Sequence, residues 1–453
     1  MLSLIESLQT IKKDNIHYGQ DNTHGKKMQA VFRRRANEVA WETGFMERER
    51  VLTGSSFLVG LVSAWQADPQ VSLAGISQAI GNAGTPISRQ RVEQRFDTRA
   101  VAFLKAMVDE SLKVMVKGTP VDQGILARFS AVELTDSSII TLPNVLQTVW
   151  KGSGGSGEQA SMAAVKLSVR WNMRDGELQT VSLSDGITHD TQSPAHQHAV
   201  RAGSLQIKDL GYFNLDAFEK IGQQDAYWLT RYKIGTCVLN EQGQELDLET
   251  WLPQSVGQRL DVMVRLGKQK QLPCRLVAER VPPAIVHQRH QRLRETARQD
   301  QTQPSQRALV LAQWTIYLTN VPETLLNTEA VFIMGRYRWQ IELLFKLWKS
   351  DLQIDDWNTA NPYRILCEFY GKLIVAIVTH WFLLLGCWDD PCRSLRQAIP
   401  TIQALAWQWA NSLSSRILLE HMLRSLCRSL SHCHMDRSQT PPRHFQLLEM
   451  KFA

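Results

Sequence analysis

The sequence predicts an α/β protein, a strand-rich centre held between two helical ends, and three observations carry this. From Ser130 onward the pattern turns to short alternating segments rich in β-branched residues. Residues before about 120 and after about 353 instead carry helical patterns, the second stretch rich in Trp and Leu. Between them, "GRYRWQIELLFKLWKSDL" (335–352) reads as one amphipathic helix closing the strand-rich part.

Taken in order, the N-terminal region carries a basic run from Phe32 to Arg35. It then offers "SLAGISQAIGNAGTPISRQRVEQRF", a helix with Ile76 and Ile80, a turn from Gly81 to Gly84, and a second helix capped by Ser88. Arg89, Arg91 and Arg95 on that second helix suit either a helix-turn-helix docking in a major groove or a helical hairpin with a solvated basic face. The strands follow as "FSAVELTDSSIITLP", "SMAAVKLSVRWNM" and "ELQTVSLSDG". "KGSGGSGEQA" between the first two is a flexible loop whose glycines permit close approach to a phosphate backbone; without a following Lys-Ser/Thr it is not a P-loop. A polar segment up to Arg201 is expected to hold a helix; "SLQIKDLGYF" supplies a fourth strand, "NLDAFEKI" a helix and "AYWLTRYKIGT" a fifth strand. Residues 235 to 285 read as strands and turns, followed by the basic helix "HQRHQRLRETARQD", a Gln/Pro-containing loop and the strand "QWTIYLTNVP". No internal repeat is visible.

The composition sets bounds. At 453 residues the chain can bury several cores, and hydrophobic residues at 43% with charged residues at 21% describe a globular protein. A formal net charge of +7 leans towards a polyanionic partner, with plain solubility as the alternative. The N-terminus has no apolar stretch resembling a secretion signal. "LIVAIVTHWFLLL" (373–385) is short for a membrane span and contains Thr379 and His380, so it is expected to be a buried helix. Seven cysteines, an odd number without paired zinc spacing, fit a reduced cytoplasm. In "SHCHMD", His432, Cys433 and His434 point in different directions and are not expected to share a metal.

The helix at 335–352 has an unusual polar face. Arg338, Glu342, Lys346 and Lys349 follow at steps of four, four and three, which places them in one stripe, while Ile341, Leu344, Phe345 and Trp348 form another. Such a ladder is either a solvated set of ion pairs, worth a few tenths of a kcal/mol each, or a site. Two further acids stand out: Asp136 interrupts the strand in "VELTDSSII", and Asp209 closes the strand in "LQIKDLGYF". Asp185 before Gly186 fits a turn, and Asp190 fits a helix cap. Three carboxylates brought together would suit hard divalent ions such as Mg²⁺, and neighbouring cations would hold a nucleic-acid backbone.

These residues also carry a resemblance. "YRWQIELLFKLWKS" looks like the signature region of DDE transposases of the insertion-sequence-four type, whose YREK motif sets Arg three residues after Tyr, Glu four later and Lys seven later. Arg338, Glu342 and Lys349 match that spacing, whereas Gly335 stands at the tyrosine's place and Tyr337 lies two residues away, a departure that touches the tyrosine's phosphate contact. "LTDSSIITLP" resembles the family's first-Asp strand and "KDLGYF" its second-Asp motif. "KGSGGSGEQASMAAVKL" is similar to its Gly-rich loop and following strand, and "WTIYLTNVP" to the strand that re-enters the catalytic domain. The matching region runs from about 130 to 360.

The resemblance implies a ribonuclease-H-like mixed sheet with a β-rich insertion before the final catalytic helix, flanked by helical N- and C-terminal regions. The implied plan is an end-binding helical region (1–120), a first part of the core (121–235), the insertion with its basic helix (236–310), a second part of the core (311–352) and a helical assembly region (353–453). Asp136, Asp209 and Glu342 would be both catalytic and metal-binding, holding two Mg²⁺ ions that Mn²⁺ can replace. Arg338, Lys346, Lys349 and Trp314 would contact DNA, Trp314 by receiving a flipped base; for that residue a core position is the alternative. Arg289, Arg292, Arg294 and Arg298 are further candidates for backbone contacts, against a solvated basic helix. The function implied is cut-and-paste DNA transposition through a hairpin intermediate, by a homodimer acting on terminal inverted repeats and target DNA in a prokaryotic cytoplasm, associated with the nucleoid and with no membrane partner. A domesticated DNA-binding relative, or a nuclease of the same fold without strand transfer, is the alternative.

Overall fold

The structure is a computed structural model that describes residues 24–433 apart from 50, 115, 122–123, 155–160, 193–198, 255–257 and 389–392. Part of the Gly-rich loop, part of the polar segment before Arg201 and His434 lie outside the described residues.

At the N-terminal end, a π-helical turn (Ala30–Arg35) leads into α1 (Ala36–Glu42), α2 (Gly54–Ala67), α3 (Leu73–Asn82), α4 (Arg89–Arg95) and α5 (Thr98–Lys113). A capping box between Thr53 and Ser56 starts α2, which is buried from Gly54 to Gln66. The α3–α4 pair has the two helices and intervening turn expected from sequence, with the Ser88 hydroxyl accepting from the Arg91 backbone N–H at 3.3 Å. Its arginines divide. Arg89 and Arg91 are exposed, while Arg95 lies over the Phe45 ring at 5.2 Å. Arg35, from the basic run, is committed to Glu110, Glu38 and Glu42.

Nine strands form one sheet in the order β3-β2-β1-β4-β5-β9-β8-β7-β6. The first five are β1 (Val132–Leu142), β2 (Ala163–Asn172), β3 (Leu178–Asp185), β4 (Leu205–Lys208) and β5 (Tyr227–Arg231). Antiparallel β3-β2-β1 followed by parallel β4 and β5 is a ribonuclease-H-like mixed sheet. The crossover between β4 and β5 is α6 (Leu215–Gln223), capped by Asn214. The remaining strands are β6 (Val238–Leu239), β7 (Arg259–Leu266), β8 (Leu272–Arg280) and β9 (Trp314–Thr319). They extend the same sheet, because β9 pairs with β5 on one side and β8 on the other.

Three readings from sequence are corrected in this half. Leu248–Gln254 is a helix, α7, rather than strand or turn: Asp247 accepts from the Glu249 N–H at 3.2 Å, and Leu248 and Leu252, four apart, bury together. After the basic helix α8 (Pro283–Gln299), the Gln/Pro stretch contains a short helix, α9 (Gln306–Leu311), started by Ser305. The helix expected at 335–352 is not one regular helix. It comprises the end of α10 (Thr328–Tyr337), a break at Arg338, α11 (Trp339–Lys346) and a π-helical turn (Leu347–Asp351). Arg338 keeps helical dihedrals, but the Ile341 N–H bonds back only three residues, to the Arg338 carbonyl at 3.3 Å, so the ladder tightens and then widens.

The C-terminal end is helical: α12 (Pro362–Gly386), α13 (Leu395–Ala404), α14 (Ala406–Ser412) and α15 (Arg416–Leu430). Helix α12 is long and apolar enough to cross a membrane, yet its most apolar window is wholly buried within the fold, packed on α2 and α5. Its His380 ring nitrogen bonds the Gly176 carbonyl at 2.7 Å, edge-on to Trp171. Burial drives the His380 imidazole down to about 4, against the smaller opposing effect of the Gly176 carbonyl. The unfolded chain therefore binds this proton more readily than the folded one, so the stability is present above about 6.5 and is lost as pH falls towards 4. At pH 5 the loss is about 2 kcal/mol. Thermal melts at pH 7 and pH 5 should show a larger drop for the wild type than for His380→Gln; equal drops would exclude His380 as the cause.

Candidate active site

The sheet and α11 bring the three acids expected from sequence to one cation. Asp136 is midway along β1; Asp209 caps the 3-10 turn Leu210–Tyr212 at the end of the neighbouring parallel strand β4; Glu342 is one turn into α11. Arg338, at the helix break, reaches all of them. Its Nη1 lies 3.3 Å from Asp136 Oδ2 and its Nε 3.6 Å from Asp209 Oδ1, while Nη2 donates to Glu342 Oε1. Three carboxylates thus surround one guanidinium, and the formal charge of the set is about minus two.

The electrostatics follow from that imbalance. Burial lifts the Asp136 carboxyl to about 6; the Ser137 backbone N–H and Arg338 pull it back, and the Asp209 and Glu342 carboxylates push it further up. Burial works against the Arg338 charge, yet Asp209, Glu342 and Asp136 together hold its pKa above the ordinary arginine value. The donors are all hard carboxylate oxygens carrying negative charge in excess, which is what a divalent ion such as Mg²⁺ requires. Among the described residues, no three His, Cys, Asp or Glu already stand close enough together to hold a metal. Arg338 occupies the space between these three.

The other expected site residues fall in different places. Lys346 is exposed on α11, one turn beyond Glu342. Lys349 lies in the π-helical turn: its Nζ donates to the Ile139 carbonyl of β1 at 2.8 Å and lies 3.9 Å from Asp355. It ties the helix to the strand that bears Asp136. Trp314, expected either at a DNA contact or in the core, has the core position in this structure. It is 5% exposed and belongs to the buried cluster that also holds Phe218, Trp228 and Leu276. Arg292, Arg294 and Arg298 are exposed on α8, whereas Arg289 turns inward to the Ala312 and Trp314 carbonyls.

The structure adds residues that the sequence did not single out. Asp190 begins a 3-10 turn (Asp190–Gln192), and its carboxylate also reaches the strands. Its Oδ1 accepts from Lys166 Nζ at 3.0 Å and from the Ser137 hydroxyl at 2.8 Å, which anchors it beside the strand position next to Asp136. Its Oδ2 is 2.7 Å from where a Cβ on Gly211 would stand, so a side chain at that position would push the Asp190 carboxylate aside. The one available signal was a lysine in the alternating strand "AAVKLSVRW". Gly335 is explained in the same way: a Cβ there would lie 2.2 Å from Cζ and 2.6 Å from the hydroxyl of Tyr317, whose ring crosses from β9 onto α10.

The family described as the Transposase DDE domain matches residues 130–378. The transposase for insertion sequence element IS231B of Bacillus thuringiensis subsp. berliner is 28% identical over 362 residues, covering 75% of each chain. That for IS1151 of Clostridium perfringens is 24% identical over 366 residues, covering 76% of each. Among solved structures, a piggyBac transposase synaptic complex with hairpin DNA covers 90% of this chain and 83% of its own at a TM-score of 0.42 and 10% identity, too loose a likeness to bear on fold or function. With more than half of its residues inside the matched domain, the chain belongs to the DDE transposase family, of the insertion-sequence-four type.

Proposed function

We propose that this transposase works by cut-and-paste: it cleaves the ends of a DNA element and joins the freed ends to a target. The observation that carries this reading is the convergence of Asp136, Asp209 and Glu342 on Arg338. Two divalent ions, Mg²⁺ or Mn²⁺, would polarise the scissile phosphate and stabilise the attacking and leaving oxygens. The chain's own part is to supply the carboxylate oxygens from a rigid strand, a strand end and a helix, and to release Arg338 from them towards the DNA backbone. Lys346, exposed beside the set, would contact a phosphate, and Lys349 keeps the helix registered on β1.

Water would attack first, and the freed 3′-hydroxyl would then attack the opposite strand and later the target. The hairpin step and a synapsed homodimer are carried by the family resemblance. The exposed Arg89 and Arg91 of the α3–α4 pair would serve end recognition, in a cytoplasmic, nucleoid-associated protein. A gel assay with labelled terminal repeats and Mg²⁺ tests the reading. Cleavage followed by joining is expected. A shift without cleavage would make the chain a DNA-binding relative, and cleavage without joining a nuclease.

A further inference from the structure

A second charged cluster lies next to the carboxylates, with the opposite sign. Strands β5 and β9 are antiparallel and place Arg231 directly across from Tyr317, so both side chains leave the same face of the sheet. Helix α10 packs on that face with Gly335 against the Tyr317 ring, which also meets Phe332 edge-on at 5.7 Å. Arg336 follows Gly335; it is exposed, and its Nε donates to the Phe332 carbonyl of its own helix at 3.2 Å. From α8, Arg289 comes onto the same strand, bonding the Trp314 carbonyl and the Thr315 hydroxyl, each at 2.8 Å. Thr315 and Tyr317, two apart on β9, share a face.

Three guanidiniums therefore gather round one phenol, and Arg338 stands as a fourth on the side of the carboxylates. Burial raises the Tyr317 phenol, and Arg231, Arg336, Arg338 and Arg289 all act on it in the other direction. Among the described residues neither Arg231 nor Arg336 has a carboxylate partner. Arg289 is bonded only to neutral oxygens, and burial and the nearby Arg231 both lower its pKa. Like charges held together without counterions cost free energy in the isolated protein, a cost that a bound polyanion offsets.

We propose that Tyr317, Arg231, Arg289 and Arg336 form a phosphodiester-binding pocket that seats a DNA backbone phosphate beside the three carboxylates. The inference rests on the transposase reading above and deepens it. Arg231 and Arg336 clamp the phosphate oxygens by charge, Tyr317 offers a hydroxyl, and Arg289 supports the floor of the pocket through the β9 backbone. The absence of a side chain at Gly335 is what lets the phenol of a strand residue stand against the helix there.

The test uses the full chain, a mixed-sequence DNA duplex and EDTA, so that binding is read without cleavage. Both arginines of Arg231→Gln/Arg336→Gln are exposed and their removal relieves like-charge repulsion, so its melting temperature should be at or slightly above that of the wild type. Its log affinity against log salt should flatten by about 0.9 for each lost contact, nearly two in all. Tyr317→Phe keeps the ring on Gly335 and removes the hydroxyl. It should bind several-fold more weakly with an unchanged salt slope. A double variant with the wild-type slope overturns the pocket alone; a wild-type chain that binds no duplex removes the proposed function and the pocket with it.

Discussion

Asp136→Asn is expected to abolish cleavage while leaving the fold and end binding intact. Asparagine keeps the shape of the side chain but gives up the charge, and a hard divalent ion is held mainly by charged oxygens. The expected loss is about a thousandfold or more, equivalent to about 4 kcal/mol of transition-state stabilisation. Stability should barely move. Burial already lifts the Asp136 carboxyl to about 6, so a neutral group at this point of β1 is cheap for the folded chain. A labelled-end cleavage assay and a melting curve on the same preparation separate the two effects. Cleavage near the wild-type rate would remove Asp136 from the chemistry, and a large fall in melting temperature would mean that it is structural.

Arg338→Gln should show the second large effect, in the metal-free protein first. The guanidinium is 17% exposed and is the cation shared by three acids, so its removal leaves their repulsion uncompensated. Breaking a fully buried pair costs about 3–5 kcal/mol. Asp209 and Glu342, at 36% and 39% exposed, are screened by solvent, which brings the expected loss nearer to about 2 kcal/mol. Added Mg²⁺ should then raise the melting temperature of the variant by more than that of the wild type, because the divalent ion replaces the missing cation and no longer competes with the guanidinium. A variant that melts like the wild type without metal, or gains no extra stability from Mg²⁺, would show that Arg338 is not the resting counterion of this site.

How much of this was legible depends on how local each signal is. Strands β1 to β3 announce themselves by short runs rich in β-branched residues between turn signals, and Asp136 stands out against its apolar neighbours. The spacing from Arg338 to Glu342 was readable because one helical turn separates them. The π-helical turn after Lys346 was not legible, because no residue type marks the point where the 3.6-residue period gives way. Asp190 and Lys166 meet across 24 positions of chain, and Tyr317 fills the space over Gly335 from another element. Such pairings exist only after folding. Trp314 illustrates the converse: an aromatic residue at the head of a strand looks the same in sequence whether it faces a groove or a core, and burial decides.

The strand β9 that joins the two halves of the sheet also constrains when the molecule can form. Leu229 of β5 waits for Thr319 of β9, which is 90 positions later (319 minus 229). On a ribosome delivering about 5–20 residues per second, β5 emerges with its outer edge bare for several seconds. An unpaired strand edge recruits other chains, and the short β5 limits that hazard by exposing few backbone groups. Closure is non-local, so folding should be slow for a domain of this size. It also means that Glu342 arrives on its helix only after β9 has sealed the sheet. A nascent chain interrupted before that point would carry Asp136 and Asp209 without their third carboxylate, and so be unable to cut DNA while still tethered and incomplete.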